Sequence, residues 1–392
     1  MSKLDDLIKE LCPNGVEYKT LGDIGTFERG RRFVHADDRE DGIPCIHYGE
    51  LYTHYGVYAK EVKTHINSEI TTKLRYAEKN DVIIVAAGEN KIDIGIAVAW
   101  LGDEKVAIHD ACYIYRHKQN PVYLSYIFRT HEYHQFLKKY VAEGKICSVS
   151  SDSISKYEIP VPPLEVQNEI VRILDKFITL KTELETELEV RRKQYEWAKQ
   201  QLLNIKKEKL FELQELCNIE KGKTPIQKAI PGEYPLVVTT DKRSSCIDYQ
   251  FDCKAVCLSL VSARGHGVAQ ISRIFYQEGK FALGNILCAM IPKDEKILNA
   301  KYLQYYLFYM KDILLTPLMK GGANVALHIS DLQKVKIPVP TLEEQQRIVS
   351  ILNRFDSICN DITTGLPAEI EARHKQYEYY RDKLLTFNRK EG

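Results

Sequence analysis

The sequence lacks any apolar run long enough to cross a bilayer, which takes about 18 or more residues. Its best candidate, Phe281 to Ile291, contains a glycine and an asparagine and is too short. The N-terminal stretch MSKLDDLIKE is amphipathic and acidic, unlike the basic and then apolar start of a signal peptide. These absences predict a soluble, cytoplasmic protein with no membrane partner.

A disulfide framework is also missing, although the 392 residues include ten cysteines. The cysteines are scattered, and several lie inside apolar runs, where a reduced cysteine packs as a small hydrophobic residue. The one cluster, Cys246, Cys253 and Cys257, has no CxxC pair and only His266 nearby, so we predict no metal site. A formal net charge of +1 excludes a wholly basic nucleic-acid coat but leaves room for local basic patches.

Catalytic motifs are almost absent. The run GKT at Gly222 to Thr224 has Cys217 where a phosphate-binding loop needs its first glycine. The sequence has no GxGxxG after a strand candidate, no GxSxG and no (D/N/S)PP(Y/F) tetrapeptide of an amino-methyltransferase. PKDEK at Pro292 to Lys296 is better explained as a charged surface turn than as a nuclease site, and His131 and His134 have no carboxylates set around them. We therefore predict no catalytic residues.

What the chain has instead is a long internal repeat. IPVPPLEVQNEIVRILDKF, from Ile159 to Phe177, returns as IPVPTLEEQQRIVSILNRF, from Ile337 to Phe355, with twelve of nineteen residues identical. ELEVRRKQYEWAKQQLL, from Glu187 to Leu203, returns as EIEARHKQYEYYRDKLL, from Glu369 to Leu385, at an offset of 182 instead of 178. The chain is therefore built from two related halves.

Each copy of the repeat predicts a long amphipathic helix. Prolines hold the chain extended before it, and apolar residues then recur at helical spacing. From Gln167 to Leu203 the first helix would be about 55 Å long at about 1.5 Å per residue. The second copy contains Gly365 and Pro367, which predict a stop and a restart. The narrow apolar stripe of each copy predicts a coiled-coil seam, made of Ile170, Ile173, Leu174, Phe177, Leu180, Leu184, Leu188, Tyr195 and Leu202, and of Ile348, Ile351, Leu352, Phe355, Ile358, Ile362, Ile370, Tyr377 and Leu384.

A mixed α/β block precedes each helix. In the first block, residues 43–51, 81–89 and 107–116 are strand candidates, and Val122 to Tyr140 is its helix. In the second block the strand candidates are 234–241 and 255–265, and Lys301 to Ile313 is the helix. The predicted divisions are an N-terminal segment 1–15, a first block 16–158, a first helical region 159–210, a second block 211–336 and a second helical region 337–392.

Polar residues follow the strand candidates at equivalent positions of the two blocks. Arginine and lysine can hold phosphate or read guanine, asparagine can read adenine, and tyrosine can stack. Any one of these residues could belong to an ordinary solvated loop, but matched clusters in two divergent blocks favour recognition of DNA. The candidates are Arg29, Arg31, Arg32, His47, Tyr48, Glu50, Asn90 and Lys91 in the first block, and Lys221, Lys223, Thr240, Lys242, Arg243, Arg264 and His266 in the second.

The order of blocks and the doubled helices, with their RRKQYEW and RHKQYEYYRDKLLTF tails, resemble the specificity subunits of type I restriction-modification systems over essentially the whole chain. The resemblance implies an α+β fold with two mixed α/β target recognition domains, separated by two long helices that form an antiparallel coiled coil, in an internal pseudo-twofold repeat. It implies that each domain reads one half of a split double-stranded DNA target. It also implies no cofactor in this chain, because S-adenosylmethionine, ATP and Mg²⁺ serve partner subunits: two modification subunits that methylate adenine at N6, and restriction subunits.

Solvent-facing residues recur in both helix tails although the seam does not need them. Two like surfaces suit two copies of one partner, so we predict that they dock the modification subunits while the helices set the gap between half-sites. The residues are Arg191, Arg192, Gln194 and Glu196, and Arg373, His374, Gln376 and Glu378. Two other classes stay open: a stand-alone enzyme such as a nuclease, which would cut plasmid DNA with Mg²⁺ alone, and a coiled-coil adaptor that binds only protein.

Overall fold

Two units, each with its own sheets, make up the chain in a computed structural model that describes residues 3–70, 73–205, 208–264 and 267–390. Unit 1 comprises Met1–Glu183 and Ile370–Gly392, and unit 2 comprises Leu184–Glu369. Each unit therefore contains one α/β block together with parts of the helical regions. No helix of the described residues is both long and apolar enough to cross a membrane.

Fourteen strands of the described residues lie in unit 1. They are β1 Tyr18–Thr20, β2 Gly25–Arg29, β3 Asp38–Arg39, β4 Ile43–Ile46, β5 Tyr58–Ala59, β6 Thr64–Ile66, β7 Tyr76–Ala77, β8 Val82–Val85, β9 Ala87–Gly88, β10 Ala97–Trp100, β11 Val106–Ile108, β12 Cys112–His117, β13 Cys147–Ser148 and β14 Glu158–Pro160. Two five-stranded sheets have the orders β2-β12-β8-β10-β5 and β3-β6-β4-β11-β7, while β1 pairs with β14 and β13 with β9. Neighbouring strands are antiparallel except for β10 with β5 and β11 with β4.

The core of unit 1 surrounds β8, whose four residues from Val82 to Val85 are all fully buried. A central strand covered on both faces is expected to be a continuous apolar run, as it is here. The predicted strand 107–116 is wrong as a single element, because a turn at His109–Ala111 separates β11 from β12. In that turn the amide of Ala111 donates to Nδ1 of His109 at 3.1 Å.

Six helices of the described residues accompany these strands: α1 Lys3–Leu11, α2 Leu21–Ile24, α3 Glu50–Thr53, α4 Pro121–Ile127, α5 His131–Leu137 and α6 Ser151–Ile154. Short 3-10 turns lie at His35–Asp37 and Lys91–Asp93. The predicted single helix from Val122 to Tyr140 is wrong. The side chain of Thr130 accepts from the amide of Tyr133 at 3.3 Å and starts a second helix, α5, after α4 has ended.

Unit 2 repeats this plan with ten strands in the described residues. They are β15 Leu210–Glu212, β16 Cys217–Lys221, β17 Tyr234–Val237, β18 Ser244–Cys246, β19 Phe251–Asp252, β20 Ala255–Ser259, β21 Ile274–Gln277, β22 Lys280–Leu283, β23 Leu287–Pro292 and β24 Lys336–Pro338. The sheets have the orders β16-β23-β20-β21 and β18-β17-β22-β19, and β15 pairs with β24 as β1 pairs with β14. The helices are α8 Leu213–Leu216, α9 Ala300–Leu314 and α10 Ile329–Leu332, with 3-10 turns at Ile226–Lys228 and Thr316–Leu318. The predicted helix Lys301 to Ile313 is confirmed as α9.

The long helices are α7 Leu164–Leu203, α11 Leu342–Asn360 and α12 Leu366–Leu384. With 40 residues, α7 is about 60 Å long at about 1.5 Å per residue. The predicted interruption of the second copy is confirmed between α11 and α12. There the carboxylate of Asp361 accepts from the amides of Thr363 and Thr364 at 2.7 and 3.2 Å, and a side chain at Gly365 would meet the carbonyl oxygen of Ser357 at 2.5 Å.

Aromatic pairs join the long helices inside each unit. In unit 2, Tyr195 of α7 stacks on Phe355 of α11 at a centroid distance of 5.7 Å. Burial raises the pKa of the Cys359 thiol in α11, and the nearby charge of Arg192 in α7 lowers it. In unit 1, Phe177 of α7 stacks on Tyr380 of α12 at 5.4 Å. The predicted seam is not buried throughout, since Leu180 is 47% exposed and Ile362, in the interruption, is 81% exposed.

The start of α7 is fixed to the sheet block by one fully buried amide side chain. Oε1 of Gln167 accepts from the amide of Asn120 at 3.0 Å, and Nε2 donates to the carbonyl of Pro162 and to Oε1 of Gln119, both at 2.8 Å. Asn120 is also the residue that caps α4. One glutamine therefore links the extended proline segment, the long helix and α4.

Gln345 repeats this arrangement in unit 2. It accepts from the amide of Asn299, the cap of α9, at 2.8 Å and donates to the carbonyls of Pro340 and Ile297, both at 2.8 Å. The two halves thus share a scaffold down to individual hydrogen bonds, although their sheets and loops differ.

A glutamate–arginine ion pair lies next to each glutamine, with different exposure in the two units. Glu169 is only 4% exposed, accepts from Arg172 at 2.9 and 2.5 Å and pairs with Lys3 of α1 at 3.3 Å. The hydrogen bonds from Arg172 lower the pKa of Glu169 to about 2, against the opposing effect of burial and with help from Lys3. Next to Gln345, Glu344 pairs with Arg347 at 2.7 Å and is 41% exposed. Glu344 aligns with Val166 in the repeat, so its pair arose at a different position from that of Glu169.

Candidate DNA interface

In both units the first candidate cations flank a glycine at which the chain passes very close to a neighbouring loop. We call each of these segments a crossing. At the ends of β2 and β16 the sequences Glu28-Arg-Gly-Arg and Glu220-Lys-Gly-Lys pass beside the neighbouring loop. A Cβ on Gly30 would lie 2.2 Å from the carbonyl oxygen of His109, and one on Gly222 would lie 2.1 Å from that of Gly284. Only glycine permits this close approach. The crossing leaves Arg29, Arg31, Lys221 and Lys223 exposed on either side of its glycine.

The first crossing is held to the loop between β11 and β12. The amide of Arg31 donates to the carbonyl of Ile108 at 2.9 Å, and Nε of Arg29 donates to that of Asp110 at 2.7 Å. Phe33, 3% exposed, then anchors the chain beyond Arg32 in a small apolar cluster. Arg31 and Arg32 therefore project from a fixed backbone, an arrangement suited to contact with phosphate or base edges.

His47 and Glu50 differ from the other candidates because they are buried, with 4% and 7% exposure. The carboxylate of Glu50 accepts from the amide of His47 at 2.9 Å and from the hydroxyl of Thr64 at 2.5 Å. Their contacts lie inside the domain, so they shape the loop instead of presenting side chains to a partner. Tyr48 between them is half-buried, with its ring 5.7 Å from that of His109.

Sequence reasoning missed Asp38, which joins two histidines beside this loop. Its carboxylate lies 2.9 Å from Nδ1 of His35 and 2.9 Å from Nε2 of His47. Burial raises the pKa of Asp38, but the hydrogen bonds to His35 and His47 outweigh it and leave that pKa below its ordinary value. No motif spacing indicated this cluster, because the fold brings the three residues together from a 3-10 turn, a two-residue strand and the loop after β4.

Asn90 and Lys91 lie in the loop that follows β9. The side chain of Asn90 donates to Asp93 at 3.3 Å, and Lys91 forms an ion pair with Glu143. Lys91 also lines a cavity of about 610 Å³ in unit 1 together with His374 of α12. The cavity lining is cationic and apolar and contains Lys91, Ile92, Ile94, Ile96, Arg129, His131, His134, Leu137, Lys138, Val141, His374, Tyr377 and Arg381. Burial, together with the charges of Arg381 and Arg129, lowers the pKa of His134 to about 4, so the cavity favours an anionic group over another cation.

In unit 2, Arg243 is held in place by its neighbours. Its guanidinium lies 4.3 Å above the ring centroid of Phe275, and Nε donates to Gln277 at 3.1 Å. Burial lowers the pKa of its guanidinium. Thr240 donates its hydroxyl to the carbonyl of Lys242 at 3.0 Å, which shapes the turn that carries the exposed Lys242 side chain.

A second cation of this region was missed by sequence reasoning. Arg273 makes a two-bond ion pair with Asp241 at 2.5 and 2.7 Å, across the turn that contains Thr240. Arg264 is exposed, and its amide donates to the hydroxyl of Ser262 at 3.3 Å. The predicted residue His266 lies outside the described residues.

The candidate docking residues repeat their local pairing in the two helix tails. Arg191 donates to Gln194 at 3.1 Å, and Arg373 donates to Gln376 at 3.0 Å. Arg192, Gln194, Glu196 and Glu378 are exposed, and Glu196 pairs with Lys199 at 2.6 Å. The other four, Arg191, Arg373, His374 and Gln376, are half-buried, and Nδ1 of His374 is buried.

A family model described as the type I restriction modification DNA specificity domain matches the chain twice, over residues 13–191 and 205–372. The chain belongs to this family. The two matches contain the two sheet blocks and most of the long helices, so the internal repeat is a repeat of the family domain. Membership makes the chain a specificity subunit, which recognises DNA and is not itself catalytic.

Individual relatives agree with this assignment, one of them along the whole length. A specificity subunit of a type I restriction enzyme from Escherichia coli is 33% identical over 422 aligned residues, covering 100% of this chain and 99% of that protein. A putative type I specificity subunit from Haemophilus influenzae is 35% identical over 276 residues, covering 64% of this chain and 69% of its own.

Solved structures support the fold. The S subunit of a type I system from M. genitalium has a TM-score of 0.56 at 13% identity and covers 95% of this chain and 96% of its own. A chain from a study of complex assembly in a type I restriction-modification system has a TM-score of 0.57 at 18% identity and covers 96% of this chain and 98% of its own. The predicted α+β fold, with two recognition domains and long helices pairing as an antiparallel coiled coil, is confirmed.

Proposed function

We propose that this specificity subunit reads a split double-stranded DNA target, with the block at 16–158 contacting one half-site and the block at 211–336 the other. The observation that carries this proposal is the contrast between scaffold and loops. Gln167 and Gln345 each accept from the amide of a helix-capping asparagine and donate to a proline carbonyl. The cations beside the two crossings are held differently: Arg29 donates to the carbonyl of Asp110, whereas the amide of Lys223 donates to the side chain of Gln250. A repeated scaffold with different presented side chains suits two independent readers.

The contacting set in this proposal consists of the candidates whose side chains are exposed or half-buried. Arginine and lysine there supply phosphate contacts and guanine readout, and asparagine and tyrosine supply further base contacts. His47 and Glu50 are assigned to supporting the loop, because both are buried. The set comprises Arg29, Arg31, Arg32, Tyr48, Asn90, Lys91, Lys221, Lys223, Thr240, Lys242, Arg243 and Arg264.

Two modification subunits would dock on the repeated helix tails. The Arg191–Gln194 and Arg373–Gln376 pairs give the two tails one local geometry, which suits two copies of one partner. The adjacent cationic cavity that includes His374 could receive an acidic group of the partner docked on α12. In the assembled complex the modification subunits would use S-adenosylmethionine to methylate adenine at N6. Restriction subunits would supply ATP-driven, Mg²⁺-dependent cleavage.

The cytoplasm is the compartment that suits this assembly. All ten cysteines are free thiols, and nine of them are buried. Free thiols persist in a reducing compartment, where chromosomal DNA and S-adenosylmethionine are also found in a bacterial cell.

Half-site assignment can be tested with one variant in each block. The target is first obtained by long-read detection of modified adenines, and binding is then measured on the intact site and on sites with one half scrambled. We expect Arg31→Ala and Arg264→Ala each to weaken binding to the intact site by about 1–3 kcal/mol. Each penalty should disappear on the DNA whose corresponding half is already scrambled, since the lost contact has no partner there. Equal penalties of both variants on both scrambled sites would refute independent reading.

Docking can be tested by reversing matched charges in the two tails. Glu196→Lys with Glu378→Lys changes equivalent exposed positions, and we expect the modification subunit to co-purify at less than a tenth of its usual amount. Glu185→Lys, an exposed change in α7 outside the tails, is the control and should leave co-purification unchanged. Undiminished co-purification of the double variant would place the docking surface elsewhere.

A further inference from the structure

The cluster of His35, Asp38 and His47 has the donor chemistry of a metal site. Nδ1 of His35, the Asp38 carboxylate and Nε2 of His47 all lie within 4.8 Å of one another, and it is the one such group among the described residues. Two imidazole nitrogens and one carboxylate form a donor set that suits zinc and related divalent transition metals. Three protein donors leave at least one coordination position open to water or another ligand.

The protein fixes the inner side of this cluster. His47 is 4% exposed, its amide is held by Glu50 at 2.9 Å, and its ring packs between Phe33 at 4.9 Å and His35 at 4.2 Å. The deep donor is therefore positioned before any ion arrives. A site of this kind loses little conformational entropy when it binds.

The outer side of the cluster is open. The side chain of Asp38 is 30% exposed and that of His35 is 78% exposed, so an ion can reach the carboxylate from solvent. Arg39 donates to the backbone carbonyls of Ala36 and Asp38, which leaves the Asp38 carboxylate facing the two imidazoles. A divalent cation would take the place of the two imidazole N–H groups that otherwise hydrogen-bond to this carboxylate.

We propose that His35, Asp38 and His47 bind one divalent transition-metal ion, with zinc the best match to the donors. Bound metal would pin the 3-10 turn at His35–Asp37 to the loop after β4, next to Arg31, Arg32 and Tyr48. Through those neighbours it would order part of the DNA-reading surface, and this second role rests on the proposed function. The metal site itself does not.

The direct test uses the full chain, purified without a polyhistidine tag, stripped with a chelator and titrated with Co²⁺ and Zn²⁺. We expect one equivalent of Co²⁺ to give visible d–d absorption, which one equivalent of Zn²⁺ then abolishes, and Zn²⁺ to raise the melting temperature. His35→Ala should weaken Zn²⁺ binding at least tenfold. Because His35 is exposed, the apo variant should melt at the same temperature as the apo wild type.

His54→Ala is the matched control, since His54 is an exposed histidine of the same unit outside the cluster. It should bind Zn²⁺ as the wild type does. Asp38→Asn, which keeps a hydrogen-bond acceptor but removes the charge, should also lose the Co²⁺ spectrum. No d–d absorption in the wild type, or equal losses in the His35 and His54 variants, would overturn the proposal. No DNA or partner enters this experiment, so its failure would leave the proposed function untouched.

Discussion

Gln167→Leu tests whether a single buried amide joins the recognition block to the long helix. Leucine has a similar volume but no polar atoms, so the variant leaves three groups without their partner: the amide of Asn120, the carbonyl of Pro162 and Oε1 of Gln119. At about 0.5–1.5 kcal/mol for each lost hydrogen bond, three bonds amount to about 1.5–4.5 kcal/mol. Burial of the leucine side chain offsets about 1 kcal/mol, so we expect a net loss of roughly 1–3 kcal/mol in local stability.

Amide hydrogen exchange gives a residue-specific readout of this loss. The amide of Asn120 donates a hydrogen bond to Gln167, so in Gln167→Leu its hydrogen exchange should accelerate. A loss of roughly 1–3 kcal/mol corresponds to an acceleration of about 5- to 150-fold, because about 1.4 kcal/mol is a factor of ten. The equivalent amide of Asn299, bonded to Gln345, should change less than about twofold. Gln345→Leu should reverse the pattern. Unchanged exchange at Asn120, or equal acceleration at Asn299, would refute the reasoning that each glutamine holds its own block.

Three further changes test the crossing, the buried ion pair and the long helix. Gly30→Ala should destabilise unit 1 by about 1–3 kcal/mol, because the added Cβ would lie 2.2 Å from the His109 carbonyl oxygen, and thermal unfolding would show it. Glu169→Gln should lower stability near neutral pH, measured by urea unfolding, because Arg172 loses its buried carboxylate. The sequence of α7 contains two consecutive Thr-Glu-Leu-Glu units, at 182–185 and 186–189. A third unit inserted after Glu189 should lengthen α7 by about 6 Å with a net rotation near 40°, and methylome mapping should find the gap between half-sites larger by about one base pair.

The pH dependence of the Glu169 effect has a definite sign. The pKa of Glu169 is lowered from 4.5 to about 2 in the folded chain. A lowered carboxyl pKa stabilises the fold fully above the unfolded value, and this contribution is lost as the pH falls from about 4.5 to about 2. The difference between wild type and Glu169→Gln should therefore shrink over that range. Glu344→Gln, which removes the 41% exposed carboxylate paired with Arg347, should show a much smaller difference at every pH.

Each of these changes has an outcome that would contradict its reasoning. Gly56→Ala is the control for the crossing, because a Cβ at Gly56 meets nothing within 4 Å, and equal destabilisation by both alanines would rule out the close approach as the cause. A pH-independent effect of Glu169→Gln would mean that shape, not charge, matters there. Full modification with an unchanged gap would mean that α7 does not set the distance.

Most of the fold that could be predicted from the sequence was predicted from the internal repeat. Twelve identical residues in nineteen, with prolines before them and a stripe after them, indicated both long helices, and Gly365 with Pro367 indicated the interruption. These signals are local, so neighbouring residues suffice to read them. The split at Thr130 was missed because an internal threonine is weak evidence against a helix until its side chain is seen to cap the next one.

The candidate site was harder to predict from the sequence, because contacts with residues far away in the chain decide which of its side chains are buried and which are exposed. Glu50 looks like a loop carboxylate in the sequence, yet it is buried against the hydroxyl of Thr64, fourteen residues away. The contacts of Asp38 could not be predicted, because the two histidines beside its carboxylate, His35 and His47, come from different secondary-structure elements. Which exposed side chains touch bases stays a prediction, since it depends on the DNA as well as on the fold.

Exchange of one recognition block tests the central claim most directly. Residues 16–158 are replaced by the equivalent block of another specificity subunit of the family, and the modified adenines of a cell carrying the chimaera are mapped by long-read sequencing. The account predicts that one half of the bipartite target changes to that of the donor while the other half stays as in the parent. A chimaera that folds and directs methylation but changes both halves, or neither, would contradict it.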